Sequence, residues 1–274
     1  MLTRRALLNS LPAAAAAAPG PRLKIGVMDG IAGYGSDPRA VQAAAELGFQ
    51  GLQVTLGRKS PGGPLLLSDP ALHASFVSES RRLHVPLVST YLDLLHVHCL
   101  KRDPAAVRLA SEGIAVTGRL GAPILMLVFF GPCALESRAD MDAVVGPLKE
   151  LAREAEKASL TLGFENTLRA EDDLRILDAV ASNALKIYYD IGNATNLYSV
   201  DPQAEIRHLG RDRICQFHFK DKGYLGEGRV DVPGALRAIA ATGWQGYIVL
   251  ETSSPSKDRP ADLRRNLAYL RGLL

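Results

Sequence analysis

From Leu23 onward, short apolar runs alternate with longer amphipathic stretches. Eight runs can be counted: LKIGVMD at 23–29, FQGLQVTL at 49–56, VPLVSTYLD at 85–93, APILMLVFFG at 122–131, TLGFENT at 161–167, LKIYYDIGN at 185–193, ICQFHFKD at 214–221 and GYIVLET at 246–252. Strand-length runs separated by helix-length amphipathic segments predict repeated βα units around a parallel sheet. The segments between them carry helix punctuation. In DPRAVQAAAELG, Asp37 can cap the N-terminus, Pro38 suits the first turn and Gly48 suits the exit; Asp103, Pro104 and Gly121 repeat that grammar around the next long helix. Eight units predict a closed (β/α)8 TIM barrel. An open doubly wound sheet is the runner-up, but GIAGYG after the first run lacks the GxGxxG spacing that a dinucleotide fold places there.

Length and composition agree with one such domain: 274 residues, 47% hydrophobic, are ample for one large core. Residues 1–20 read differently. A basic start, a short apolar stretch and a small-residue end make the anatomy of an export signal, too short for a membrane span, and Thr3-Arg4-Arg5 before Ala6-Leu7-Leu8 resembles the twin-arginine type. The expected division is therefore an export signal at 1–20 and a barrel at 21–274. The expected location is the periplasm, with no stable membrane insertion after the leader is removed. The formal charge of +3 includes Arg4 and Arg5; without them 30 basic residues face 29 acidic ones, and nothing points to a nucleic-acid partner. Cys99, Cys133 and Cys215 lie far apart, without a CxxC pair, so the expectation is small core residues rather than a disulfide framework or a zinc-thiolate site.

In such a barrel the C-terminal ends of the strands converge on one mouth, where polar residues can be sorted by position before chemistry is invoked. Glu165 stands near the end of the fifth run, Asp190 in the sixth, His218 in the seventh and Glu251 near the end of the eighth. Three carboxylates and an imidazole brought together repel one another unless a cation sits among them. Oxygen-rich ligands with one nitrogen favour Mn²⁺, with Mg²⁺ or Co²⁺ as alternatives, over a thiolate-seeking ion. One divalent ion on Glu165, Asp190, His218 and Glu251 is the expectation.

HFKD followed by GEGRVDVPGALRAIAATGWQGYIVLE resembles the signature of the xylose isomerase-like barrels of the sugar phosphate isomerase/epimerase family: a strand-7 His, a Gly-x-Gly turn (Gly226 and Gly228), a helix and a last strand ending in Glu. The resemblance covers 23–274 and implies the same four metal ligands, with Glu165 and Glu251 as paired acid/base residues. One position departs from the family's pattern. Sugar epimerases of this family read Asp-x-x-His at strand 6, where this chain has Asp190-Ile191-Gly192-Asn193, and Asn193 cannot carry a proton.

The resulting expectation is a divalent-metal-dependent isomerase or epimerase of a small-molecule sugar, moving a proton next to a carbonyl through an enediolate. Lys220, Asn166, Asn193, His96 and Tyr34 are the candidate substrate contacts. The alternative inside the family is a lyase or hydrolase on a keto-sugar or keto-glycoside with the same metal site. An abasic-site endonuclease needs more histidines and a basic groove, and a non-catalytic carbohydrate-binding barrel would not need all four ligands. A homo-oligomer is compatible with all of these readings.

Overall fold

The computed structural model describes residues 23–58 and 63–274; the expected export signal lies outside the described residues. Eight strands form: β1 Leu23–Met28, β2 Gly51–Thr55, β3 Leu87–Leu92, β4 Ile124–Val128, β5 Thr161–Glu165, β6 Leu185–Asp190, β7 Ile214–Phe219 and β8 Gly246–Leu250. All neighbours pair in parallel and β1 closes on β8, giving the (β/α)8 barrel that the apolar runs predict. Each strand is shorter than its apolar run, and at the mouth the ends of the runs turn away. In the sixth run the carboxylate of Asp190 accepts from the backbone amides of Gly192 (2.7 Å) and Asn193 (3.0 Å), and the chain enters the short helix Ile191–Asn196. A side-chain acceptor for two otherwise orphaned amides is what starts a helix there.

The outer helices follow the Asp-Pro punctuation. Asp37, Asp69, Asp103 and Asp201 each precede a proline and each accept from the amide two residues on, at 2.8–3.0 Å. The carboxylate satisfies a free N–H while proline removes the one beside it. Gly48 and Gly121 close their helices at φ +86° and +71°, in the left-handed region where a Cβ is strained. Among the described residues, no helix is long and apolar enough to cross a membrane.

Strand alternation sorts side chains between the helix layer and the barrel interior. Thr90 of β3 faces outward, its hydroxyl 2.6 Å from that of Thr117 on the helix Pro104–Leu120, so its neighbour Tyr91 faces inward. Gln53 of β2 and Tyr188 of β6 meet inside the barrel at 3.0 Å, and Gln53 also lies 3.5 Å from the sulfur of Met126 on β4. This interior layer forms a floor beneath the mouth.

One sequence expectation is overturned. Cys99 and Cys133 form a disulfide, both nearly fully buried, while Cys215 is free. The 34 residues between the partners hid the pairing. It arises because β3 and β4 are adjacent, so the loops that follow them emerge side by side at the mouth.

Candidate metal centre

The four expected ligands come together. Glu165 and Asp190 are the last residues of β5 and β6, His218 is the last but one of β7, and Glu251 directly follows β8. Asp190 stands beside His218 in register, and the Glu251 amide donates to the carbonyl of Phe219. One donor atom from each of the four lies within 4.8 Å of all the others. His218 is fully buried, Glu165 and Asp190 nearly so, and Glu251 opens partly to the mouth.

The hydrogen bonds around His218 define which ring nitrogen faces the cluster. Gln53 donates its amide to the Tyr188 hydroxyl, leaving its carbonyl oxygen 2.8 Å from His218 Nε2, which therefore carries the proton. Nδ1 then points its lone pair at Glu165 Oε1 (3.0 Å) and Glu251 Oε2 (3.4 Å). A lone pair facing two carboxylates at those distances needs a second proton or a cation between them. Asp190 is held from both sides: its Oδ1 is taken by the helix amides, and its buried Oδ2 meets the Lys220 ammonium at 2.7 Å. A three-carboxylate, one-imidazole set whose donor atoms converge within 4.8 Å, with His218 Nδ1 facing two carboxylates, fits one divalent cation.

The charges respond to one another. Burial raises the Asp190 carboxyl above its ordinary range; Lys220 opposes the shift and the two glutamates add to it. Burial alone would push Lys220 down, but Asp190 and Glu251 outweigh it, so the ammonium stays charged. Burial would likewise lower His218, and Glu165 and Glu251 reverse that. Glu251 is held below its usual value because His218 and Lys220 outweigh its burial. Glu251 is thus ionised and reachable from the mouth.

The expected substrate contacts divide. Lys220 belongs to the site: its Nζ donates to Glu251 Oε2 at 2.6 Å and pairs with Asp190, rather than with its neighbour Asp221. Asp221 instead accepts from the amides of Lys222, Arg229 and Val230 and folds the loop after β7 around itself. Gly228 is glycine for that reason, since a Cβ would sit 2.3 Å from the Asp221 carboxylate. A Cβ on Gly192 would lie 2.4 Å from Lys220 Cγ and 2.6 Å from its carbonyl oxygen, so this glycine lets β7 approach the ligand Asp190. Asn193 is buried beside Asp190 and meets it through its backbone amide.

Two expected contacts have partners within the scaffold. Asn166 donates to Asp173 (2.7 Å) and accepts from the Leu168 amide (2.6 Å), so both ends of its side chain hold the loop after β5. Tyr34 lies under the Arg39 guanidinium and lines an outer cavity with Glu46, Arg259 and Leu263, away from the ligands. His96 meets Tyr91 at the mouth, whereas His98, two residues on, links Arg58 to the helix-capping Asp103. Sequence reading missed Gln53, Tyr188 and Tyr91. Their inward-facing position in their strands was the available signal, but nothing in the sequence says what they face.

A closed parallel barrel with a buried carboxylate-imidazole set at its C-terminal mouth defines a TIM-barrel protein built around a candidate cation site. The chain belongs to the xylose isomerase-like TIM barrel family, whose profile matches residues 41–273. Similar solved structures include D-allulose 3-epimerase from Methylomonas sp. (19% identity, TM-score 0.74, covering 93% of this chain and 99% of that one). L-ribulose 3-epimerase is similar at 18% identity and TM-score 0.75, covering 92% and 94% of the two chains. A 3-keto-D-glucoside 4-epimerase from E. coli is similar at 16% identity and TM-score 0.73, covering 92% and 100%. At these identities the likeness is one of fold. No curated protein sequence matches the chain.

Proposed function

We propose that this protein is a divalent-metal-dependent sugar epimerase or isomerase, with Mn²⁺ the ion that best suits its donors. The observation that carries the reading is the convergence of Glu165, Asp190, His218 and Glu251 to within 4.8 Å, with His218 Nδ1 turned toward the two glutamates. The two 3-epimerases and the keto-glucoside 4-epimerase of the same fold support a ketose or keto-sugar substrate.

When bound, the ion supplies Lewis-acid polarisation of a carbonyl and its neighbouring hydroxyl. The chain's own residues do the rest. Glu251, ionised and partly open to the mouth, takes the proton from the carbon next to the carbonyl; Glu165, buried against the same His218 nitrogen and carrying a proton at the start of the cycle, delivers one in exchange. Return to the opposite face of the same carbon gives epimerisation, and return to the neighbouring carbon gives isomerisation. Lys220 keeps its proton beside Glu251 and donates to a substrate oxygen as negative charge develops there. The interior floor of Gln53, Tyr188 and Met126 closes the site from below.

The test is incubation of the Mn²⁺-loaded protein in D2O with ketoses and keto-glycosides, read by NMR. Deuterium at the carbon beside the carbonyl, with epimer or isomer formed, is the expected result. Cleavage products in its place would establish a lyase or hydrolase, and absence of exchange on the whole panel would overturn proton transfer. We place the mature protein in the periplasm: the leader-like segment at 1–20 and the Cys99–Cys133 disulfide both suit an oxidising compartment.

A further inference from the structure

We propose that Tyr91 and His96 form a sugar-reading wall across the mouth from the metal ligands, and that the Cys99–Cys133 disulfide holds this wall in position. The nature of the ligand rests on the function proposed above; the wall itself rests on geometry. In the closed strand order β3 stands across the barrel from β7. Tyr91 points inward from β3, its ring against the cluster of Met28, Val88 and Val249. Its hydroxyl lies 2.6 Å from His96 Nε2. The His96 ring stands edge-on to Tyr91 and tilted over Phe130, with centroids 6.1 and 6.0 Å away.

Three observations separate this pair from ordinary packing. It sits at the open rim: His96 is exposed, and its neighbour Val97 is 68% exposed, among the most exposed large apolar side chains described. The phenol also feels the metal ligands. Burial raises its pKa, then Glu165, Asp93 and Glu251 raise it further while Lys220 opposes, so Tyr91 acts as a neutral hydrogen-bonding group. Finally, the pair is braced. Cys99 follows His96 by three residues, Cys133 follows Phe130 by three, and the disulfide ties the two loops together, with the Cys133 sulfur 3.5 Å from the His96 carbonyl oxygen.

A phenol, an imidazole and a phenyl face at one rim offer a donor, acceptors and an apolar surface without a fixed cation. That chemistry matches the hydroxyls and C–H face of an uncharged sugar, whereas a phosphate calls for arginine or lysine. The oxygens bound here are those remote from the carbonyl that the metal centre handles. Tyr91 and His96 are therefore specificity-determining residues, and the disulfide is their positioning element.

The experiment compares the Mn²⁺-loaded wild type with Tyr91→Phe, His96→Ala and the double variant Cys99→Ser/Cys133→Ser. It measures kcat, KM and metal affinity, and sugar binding by ligand-observed NMR. Each variant should raise KM and weaken sugar binding by about 3- to 10-fold, the size of a lost hydrogen bond, with kcat within about twofold and metal affinity unchanged. Unchanged KM and binding in Tyr91→Phe and His96→Ala, in a wild type that turns over sugar, would overturn the wall and leave the proposed function standing. A wild type that binds a sugar through the pair without exchanging its protons supports the wall and defeats the proposed function. A wild type that binds none of the panel overturns both. If only the cysteine variant keeps wild-type KM, the bracing role is wrong.

Discussion

Gln53 shows how one residue outside the ligand set can govern it. Its amide, oriented by Tyr188, fixes the proton on His218 Nε2 and so turns Nδ1 to the cluster. Gln53→Leu should lower metal affinity by about 10- to 100-fold, and His218→Ala by at least as much, measured by titration with Mn²⁺. Full affinity in Gln53→Leu would mean that the tautomer is set elsewhere. The carboxylates separate by a different comparison. Asp190→Asn keeps a side chain able to cap the helix Ile191–Asn196, so it tests the ligand role, and excess metal should restore much of its activity. Glu165→Gln and Glu251→Gln should each lose about 10²- to 10⁴-fold in turnover even at saturating metal, because an amide oxygen can coordinate but an amide can neither accept nor give the proton. Recovery of both with excess metal would send the search for the base elsewhere. These ligands were legible from their positions at the strand ends. Gln53 was not, because its partner is 165 residues away.

At the scale of elements, the last helix, Arg259–Arg271, holds the loops that flank Glu251. Asp262 on that helix accepts from the hydroxyls of Ser254 (2.6 Å), Tyr224 (2.6 Å) and Ser256 (2.7 Å), joining the loops after β7 and β8. Burial would raise its carboxyl, but the bonds from Ser254, Tyr224 and Ser256 outweigh it and hold the pKa down to about 2. A carboxyl lower in the folded than in the unfolded state stabilises fully above its ordinary value, and the contribution fades as pH falls toward the folded value. The stability gap between wild type and Asp262→Asn should therefore be constant from about pH 5 upward and close between about pH 4 and 2, read by denaturant unfolding. A gap that persists at pH 2 would assign the effect to packing. The helix was expected from the sequence, but its service as an anchor depends on which loops the barrel brings beneath it.

For the whole molecule, the disulfide is the feature that sequence reading dismissed. It ties the loops after β3 and β4 across 34 residues, and removing it frees that loop in the unfolded chain. Cys99→Ser/Cys133→Ser should lower the unfolding free energy by about 3 kcal/mol, with a matching loss in wild type under reductant. Equal stability of reduced and oxidised wild type would show that the thiols do not pair in solution. Export is tested at the other end of the chain. Arg4→Lys with Arg5→Lys should trap the precursor in the cytoplasm if the leader is of the twin-arginine type, whereas unimpaired export would favour a general secretory signal or none.

The sequence by itself determined the barrel and the identity of the candidate ligands. Apolar runs, Asp-Pro starts and glycine exits are local signals, each readable within one βα unit. In this fold every strand end reaches the same mouth, so a polar residue at a strand end is already assigned to the site. Tertiary structure alone decided the relations between units: the Cys99–Cys133 bond, the Gln53–His218 contact, and Lys220 between Asp190 and Glu251. It also gave Asn166 its bond to Asp173 and Tyr34 its place under Arg39. The physical reason is closure. Which side chains meet across the lumen depends on strand register and barrel geometry, including the register shifts between β2 and β3 and between β6 and β7, and no residue carries that information alone.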